Sequence, residues 1–270
     1  MPFVSHEVLA EGLLPAVLEA GRVILQIRER GFIVDTKADH SPVTEADRLA
    51  EALLVAALER IHPGVPVVAE ESAAAGTAPE AEGSLFLVDP LDGTKDYCAG
   101  RDDFSINIGL IHQGRPAFGL IYGPARGELF VTTGPRRAVA ARIEAQSRAT
   151  TLAELGAMPI SARRAAPGQV SALVSRSEAG PDFADRIAAL GATRTTGMSS
   201  AIKFGLIARG DADLYPRFGP TCEWDTAAGH AIVEAAGGSV TNLDGSPMVY
   251  GKAASRYLNG SFVARGAPAA

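Results

Sequence analysis

An apolar run, Leu85-Phe86-Leu87-Val88, leads straight into Asp89-Pro90-Leu91-Asp92-Gly93-Thr94. Two carboxylates three residues apart follow a short buried-type strand. Pro90 fixes one backbone angle and stiffens the turn, while Gly93 can take a positive φ. Such a turn can aim two carboxylates and a backbone carbonyl at one point, a hard-oxygen environment suited to Mg²⁺. The N–H groups after Gly93 can hold a phosphate. An Asp-Pro-x-Asp-Gly stretch is also a common solvated turn. Its place at a strand end favours a site, because open α/β sheets bind ligands there.

Three other acidic segments are candidates. Val67-Val68-Ala69-Glu70-Glu71-Ser72 carries adjacent carboxylates after an apolar run. Read as extended chain, Glu70 and Glu71 point in different directions, so that one can bind a metal while the other faces elsewhere. Taken alone, the segment is simply a polar strand end. In Pro42-Val43-Thr44-Glu45-Ala46-Asp47 the pair Thr44 and Asp47 has capping-box spacing, and a cap is compatible with a supporting carboxylate. Glu223-Trp224-Asp225-Thr226-Ala227-Ala228-Gly229-His230 places Asp225 in the expected first turn of a helix, where the dipole favours an anion. The small residues after it allow close backbone packing. His230 is assigned no chemistry.

The elements that must position these groups are partly legible. Leu9, Leu13, Ala16, Val17, Ala20, Ile24 and Ile27 recur at gaps of three and four, which predicts a long amphipathic helix ending near Gly31. A second helix is predicted from about Thr44 to Ile61, stopped by Pro63-Gly64. Strands are expected at 65–69, 85–88, 104–111, 117–122 and 128–133, the last three as an antiparallel meander. A strand at 169–174, helices at 181–190 and 199–209, a strand at 212–215 and a helix at 222–236 read as an α/β layer. The stretch 141–167 is rich in Ala, Arg and Ser and weakly periodic. It is read as the boundary between an N-terminal α+β domain, residues 1–150, and a C-terminal α/β domain, residues 151–270.

Composition narrows the function classes. The chain has 270 residues, 47% apolar and 21% charged, with a net charge of 25 − 31 = −6. That is ordinary globular composition with enough apolar content for a large core. An acidic balance argues against a nucleic-acid polymer as partner, while a local cationic pocket stays possible. Cys98 and Cys222 cannot build a disulfide framework. No run of 18 apolar residues predicts a membrane span. The first residues show neither a basic nor an apolar signal region, so the reducing cytoplasm is the expected compartment.

Glu70-Glu71-Ser72, Asp89-Pro90-Leu91-Asp92-Gly93-Thr94 and Trp224-Asp225-Thr226-Ala227-Ala228-Gly229 together resemble the three signature segments of the inositol monophosphatase superfamily. These are Mg²⁺-dependent, lithium-sensitive phosphomonoesterases. Ser41-Pro42-Val43-Thr44, Leu214-Tyr215-Pro216-Arg217-Phe218-Gly219-Pro220-Thr221 and the late Leu258-Asn259 are similar to its CysQ branch, the 3′(2′),5′-bisphosphate nucleotidases. The resemblance covers roughly residues 9–264 and is weakest at 141–167. One departure stands out. The branch often carries Gly-Ser-Ser-Leu-Lys-Phe, whereas this chain reads Ser199-Ser200-Ala201-Ile202-Lys203-Phe204.

The resemblance implies a layered α+β, α/β chain with the αβαβα sugar-phosphatase fold. It implies metal ligands at Glu70, Asp89, Asp92, Asp225 and the Leu91 carbonyl, for two or three Mg²⁺ ions. Most of these fall in the N-terminal domain, and Asp225 with the substrate contacts falls in the C-terminal one. Converging carboxylates repel, and bound cations relieve that. Asp47, Glu70 and Thr94 are the implied catalytic residues, with an attacking water near Glu70 and Thr94 and a proton passed from Thr94 toward Asp47. Gly93, Thr94, Ser200, Lys203, Arg217 and Asp225 are the expected substrate contacts. The implied reaction converts 3′-phosphoadenosine 5′-phosphate to AMP and phosphate, clearing a by-product of sulfate assimilation. The alternative is an inositol-1-phosphate or fructose-1,6-bisphosphate phosphatase, and a metal-binding module without catalysis is the competing class. Monomers and homodimers both occur among such proteins. Peripheral attachment to the cytoplasmic face of the inner membrane is suggested for some of them, although no basic amphipathic anchor is visible here.

Overall fold

The computed structural model describes residues 4–37, 40–79, 81, 83–144, 146–178 and 180–268. The predicted first helix is α1 (His6–Arg30), capped by the Ser5 hydroxyl, with Leu9, Leu13, Val17, Ile24 and Ile27 on its buried side. A short hairpin, β1 (Val34–Thr36) and β2 (Pro42–Thr44), leads into α2 (Glu45–Ile61). The capping box read from Thr44 and Asp47 is present: each side chain accepts from the other residue's end of the turn.

A seven-stranded sheet follows, in the order β3 (Val67–Ala69), β4 (Ser84–Asp92), β5 (Ser105–His112), β6 (Arg115–Gly123), β7 (Glu128–Gly134), β8 (Arg137–Arg142) and β9 (Met158–Ile160). Only β3 and β4 run parallel; the rest is the antiparallel meander that the turns predict. Two short helices, α3 (Glu70–Ala74) and α4 (Thr94–Cys98), start where β3 and β4 end.

The second half builds a five-stranded sheet. Its elements are β10 (Val170–Ser175), α5 (Phe183–Ala189), β11 (Ala192–Met198), α6 (Ile202–Arg209), β12 (Leu214–Arg217), β13 (Thr221–Cys222), α7 (Ala227–Ala235), β14 (Ser239–Asn242), β15 (Leu258–Asn259) and β16 (Phe262–Arg265). The sheet order is β11-β10-β12-β16-β14, while β13 and β15 form a separate ribbon. β10 pairs in parallel with both β11 and β12.

Strand alternation then stacks the layers. Phe86 and Val88 face the core under α1 and α2. Leu85 and Leu87 face the opposite core, which they share with Phe204 and Ile207 of α6, Ile232 and Val233 of α7, and Tyr215 and Phe262 of the second sheet. Beyond that sheet, Ala172, Val174 and Leu214 pack on Ile187 of α5. The order is helix, sheet, helix, sheet, helix, the αβαβα architecture expected from the signature segments.

Several elements differ from the sequence reading. The helix expected at 222–236 is a 3₁₀ turn, Glu223–Asp225, followed by α7, and the helix expected from 199 begins at Ile202. β11 was not predicted, because Thr193 to Thr196 are exposed and show no apolar alternation; pairing with β10 makes that segment a strand. The hairpin, β8, β9 and the strands after α7 are likewise too short or too polar for periodicity to reveal them. No helix among the described residues is long and apolar enough to cross a membrane.

Two glycines decide how α7 sits. A Cβ on Gly119 would lie 2.1 Å from the Ala228 carbonyl oxygen, and one on Gly109 would lie 2.6 Å from the Ala227 Cβ. Bare backbone on β5 and β6 therefore lets the start of α7 lie flush on the sheet, which sets the position of Asp225 just before it.

Candidate metal and phosphate site

The carboxylates come from strand ends. Asp89 and Asp92 lie at the last residues of β4, and Glu70 opens α3 directly after β3. Asp225 ends the 3₁₀ turn before α7. That turn is anchored by Glu223, a fully buried residue whose carboxylate accepts from the Gly251 and Lys252 N–H groups and pairs with Lys252 Nζ at 2.6 Å. One carboxylate oxygen each from Asp89, Asp92 and Asp225 lies within 4.8 Å of the others. Three acidic side chains separated by as many as 136 positions thus meet at one point.

Their electrostatics show the strain of that meeting. Burial pushes the Asp89 carboxyl well above the usual carboxylate range, and Glu70, Asp92 and Asp225 push it further. Asp225 is raised in the same way, by burial and then by Asp92 and Glu70. Asp92 is raised by burial, against the opposing pull of Lys203 and the Ala201 N–H. Asp89 thus feels Glu70, Asp92 and Asp225 together, and a divalent cation among these carboxylates would relieve their repulsion. The donor set is entirely hard oxygen, so the residues present fit Mg²⁺.

Glu70 stands slightly apart from the triad. Lys37 Nζ lies 2.6 Å from both Glu70 and Glu71. Adjacent carboxylates were expected to diverge as on a strand; they share one ammonium because the chain turns helical at Glu70. Burial dominates at the carboxyls, raising Glu70 and lifting Glu71 to about 7 against the pull of Lys37. Burial alone would lower Lys37, yet Glu70 and Glu71 outweigh it and hold its pKa above the ordinary value. Nothing in the sequence around Lys37 marks it; the β1–β2 hairpin brings it in.

The turn after β4 is ordered around Thr94. Gly93 has φ +94°, and a Cβ there would meet the Asp103 carbonyl oxygen at 2.8 Å. The Thr94 hydroxyl lies 2.9 Å from the Leu91 carbonyl and 3.1 Å from Asp47 Oδ1. Asp47 Oδ2 in turn accepts from the Thr44 N–H and hydroxyl at 2.8 and 2.7 Å. One carboxylate therefore both caps α2 and receives Thr94.

The cationic candidates come from α6 and from β12 of the second sheet. Lys203 is not the exposed helix lysine that its sequence context allows. It is 2% exposed, and its ammonium donates to the Ser200 carbonyl at 2.6 Å and lies 4.7 Å from the Tyr215 ring centre. Burial lowers its pKa to about 8, with Asp92 opposing. The Ala201 N–H donates to Asp92 Oδ2, which ties the two sheets together across the site. Ser200 is engaged internally, its hydroxyl 3.1 Å from that of Ser105. Arg217 ends β12 with its Nε 3.8 Å from Glu178 Oε1, and it is felt electrostatically at Asp92. His230 is buried in α7 and bonded to Tyr250.

The chain is similar to known proteins over nearly its whole length. The family model described as "Inositol monophosphatase family" matches residues 6–266. The 3′(2′),5′-bisphosphate nucleotidase CysQ of Escherichia coli K12 is 38% identical over 234 residues, covering 86% of this chain and 89% of that protein. The CysQ of Buchnera aphidicola is 33% identical, over 91% of this chain and 89% of that protein. Among solved structures, CysQ from Bacteroides thetaiotaomicron superposes with a TM-score of 0.77 at 33% identity, covering 97% and 98% of the two chains.

Proposed function

The chain belongs to the inositol monophosphatase family, and from that premise we propose that it is a 3′(2′),5′-bisphosphate nucleotidase that converts 3′-phosphoadenosine 5′-phosphate to AMP and phosphate. The observation that carries the reading is opposed charge gathered at one place: the Asp89–Asp92–Asp225 triad, with Lys203 and Arg217 near enough to act on Asp92. A doubly phosphorylated nucleotide needs both, an acidic seat for cations at the reacting phosphate and a cationic arm for the second one.

In this reading Glu70, Asp89, Asp92, Asp225 and the Leu91 carbonyl hold two or three Mg²⁺ ions. Bound there, Mg²⁺ would neutralise phosphate charge and make water a stronger nucleophile at neutral pH. The chain's own residues do the rest. Glu70 and Thr94 orient the attacking water; Thr94 takes the water's proton as it gives its own to Asp47 along the 3.1 Å contact, and as the bond from phosphorus to the ribose oxygen breaks, that oxygen takes a proton from solvent. The N–H groups of Gly93 and Thr94, at the head of α4, hold oxygens of the transferred phosphoryl group. Asp225 would help hold the cations and would also contact the substrate. Ser200, Lys203 and Arg217 hold the nucleotide, with Arg217 on the phosphate that is not transferred. The proposed compartment is the reducing cytoplasm, which keeps Cys98 and Cys222 out of disulfides, and the working unit is a monomer or homodimer.

The test is phosphate release with Mg²⁺ from 3′-phosphoadenosine 5′-phosphate, inositol 1-phosphate and fructose 1,6-bisphosphate at equal concentration, repeated with Li⁺. The bisphosphonucleotide should turn over fastest and Li⁺ should suppress it. Faster release from either sugar phosphate overturns the substrate assignment; no release from any of them overturns the enzyme.

A further inference from the structure

Glu178 lies outside every signature segment, yet the fold brings it against Arg217. β10 and β12 are parallel neighbours, paired at Ala172 and Leu214, so their carboxyl ends emerge side by side. Arg217 is the last residue of β12, and Glu178 follows β10 in a turn whose N–H bonds back to the Ser175 carbonyl. Glu178 is a 10%-exposed carboxylate, and an acidic group is seldom buried without a partner that needs it. Its Oε1 accepts from the Phe218 N–H at 2.6 Å and the Gly219 N–H at 2.9 Å. The same oxygen lies 3.8 Å from Arg217 Nε. Both Arg217 Nε and Glu178 Oε2 are buried without a hydrogen-bond partner among the described residues.

This is an anchor with one charge and two ties. The two backbone bonds hold the chain just after Arg217, and the charge faces the Nε side of the guanidinium. A guanidinium has five N–H donors in a rigid fork. With its Nε side turned to Glu178, the remaining edge is what an anionic ligand can take. The pair is too long for a direct hydrogen bond, so Glu178 aligns Arg217 without saturating it.

We infer that Glu178 is a positioning residue for substrate: it presents Arg217 to the phosphate that is not transferred, and so sets affinity for bisphosphorylated substrates. The inference rests on the proposed role of Arg217. The contacts of Glu178 are with Arg217 and the chain after it, whereas Thr94 and Asp47 contact each other, so it should act on KM and leave kcat alone.

The test uses the full chain with Mg²⁺ and two substrates, 3′-phosphoadenosine 5′-phosphate and adenosine 3′-monophosphate, which lacks the second phosphate. Glu178→Ala should raise KM for the bisphosphate about tenfold, the size expected for losing one aligned charge-assisted contact, with kcat within about twofold. Glu178→Gln keeps an acceptor for the two N–H groups and should raise KM by about threefold. Neither change should alter KM for the monophosphate. In an Arg217→Ala background, Glu178→Ala should add nothing, because the two act as one unit. If Arg217→Ala leaves KM unchanged, the role assigned to Arg217 fails and the inference with it. If Arg217→Ala raises KM but the Glu178 variants do not, or if the two effects add in full, the function stands and the positioning role is overturned. Should Glu178→Ala fail to fold, Glu178→Gln decides alone: an unchanged KM for the bisphosphate, or an equal rise for both substrates, overturns the role.

Discussion

Replacing Asp89 with Asn tests the acidic triad directly, because it removes one charge while keeping shape. The Leu91 N–H now donates to Asp89 Oδ1 at 2.9 Å, and an amide oxygen can accept the same bond. Without metal, burial and three neighbouring carboxylates hold the Asp89 pKa well above the usual range. A carboxyl raised in the folded state gives its full stabilisation below the unfolded value of about 3.9, and loses it as pH rises toward the folded value. Metal-free protein should therefore weaken as pH rises above about 4, by about 1.4 kcal/mol for each unit of elevation. Asp89→Asn drops that contribution, so the metal-free variant should be the more stable protein at pH 8. Added Mg²⁺ reverses the order. At a hundredfold excess over Kd, a ligand of the native state adds about 2.7 kcal/mol, roughly 5 °C in Tm for a chain of this size. If the lost ligand weakens binding about a hundredfold, the same Mg²⁺ concentration adds only about 0.4 kcal/mol, under about 1 °C. The assay is calorimetric melting at pH 6 and pH 8, after chelation and along an Mg²⁺ titration. An equal Mg²⁺-induced rise in both proteins, or a metal-free variant less stable at pH 8, would refute the triad as the metal seat.

Two further outcomes follow from the geometry. Thr94→Val removes the hydroxyl between the Leu91 carbonyl and Asp47; kcat should fall about 10²-fold, as for a lost proton-transfer group, with KM nearly unchanged, and a purely KM effect in steady-state kinetics would sink the relay. Lys203 has its pKa lowered to about 8, chiefly by burial, so kcat/KM for the bisphosphate should fall as pH rises through 8. Because the unfolded chain holds that proton up to about 10.4, the folded state carries fewer protons in between, and stability should rise with pH across that window. Lys203→Met should abolish both trends, and an alkaline decline in kcat/KM that survives the substitution would remove Lys203 from substrate binding.

What could be read from the chain depended on how local each signal was. The Asp89 to Thr94 turn was legible because strand, Pro, Gly and both carboxylates are contiguous. Thr44 and Asp47 were legible as a cap, and the structure adds only that the same carboxylate reaches Thr94. Asp225 was read as the first turn of a helix; it ends a separate 3₁₀ turn, since the Cys222 N–H donates to its side chain before α7 begins. Lys37, Glu178 and Glu223 carried no local signal at all. Each gains its partners through tertiary pairing: Lys37 through a hairpin of two three-residue strands, Glu178 through parallel strands, and Glu223 through the chain at Gly251 and Lys252. Periodicity in one segment says nothing about such meetings, which are decided by tertiary contacts.

The placement of charge follows from strand direction. The first sheet is antiparallel except where β3 joins β4, and the second is parallel where β10 meets β11 and β12. Carboxyl ends of parallel strands are where loops can gather without the return connection closing the space. Glu70 and the Asp89–Thr94 turn leave the first such pair; Glu178, Lys203 and Arg217 leave the second group. The proposed metal carboxylates Glu70, Asp89 and Asp92 thus come from the first sheet and the proposed substrate cations Lys203 and Arg217 from the second half, and the Ala201 N–H to Asp92 bond links the two. Asp225 is the exception that completes the triad. It belongs to neither set of strand ends and depends on α7 lying flush against Gly109 and Gly119. A helix held one side-chain thickness further from the sheet would leave Asp89 and Asp92 as a pair, and a two-carboxylate turn is the ordinary solvated kind.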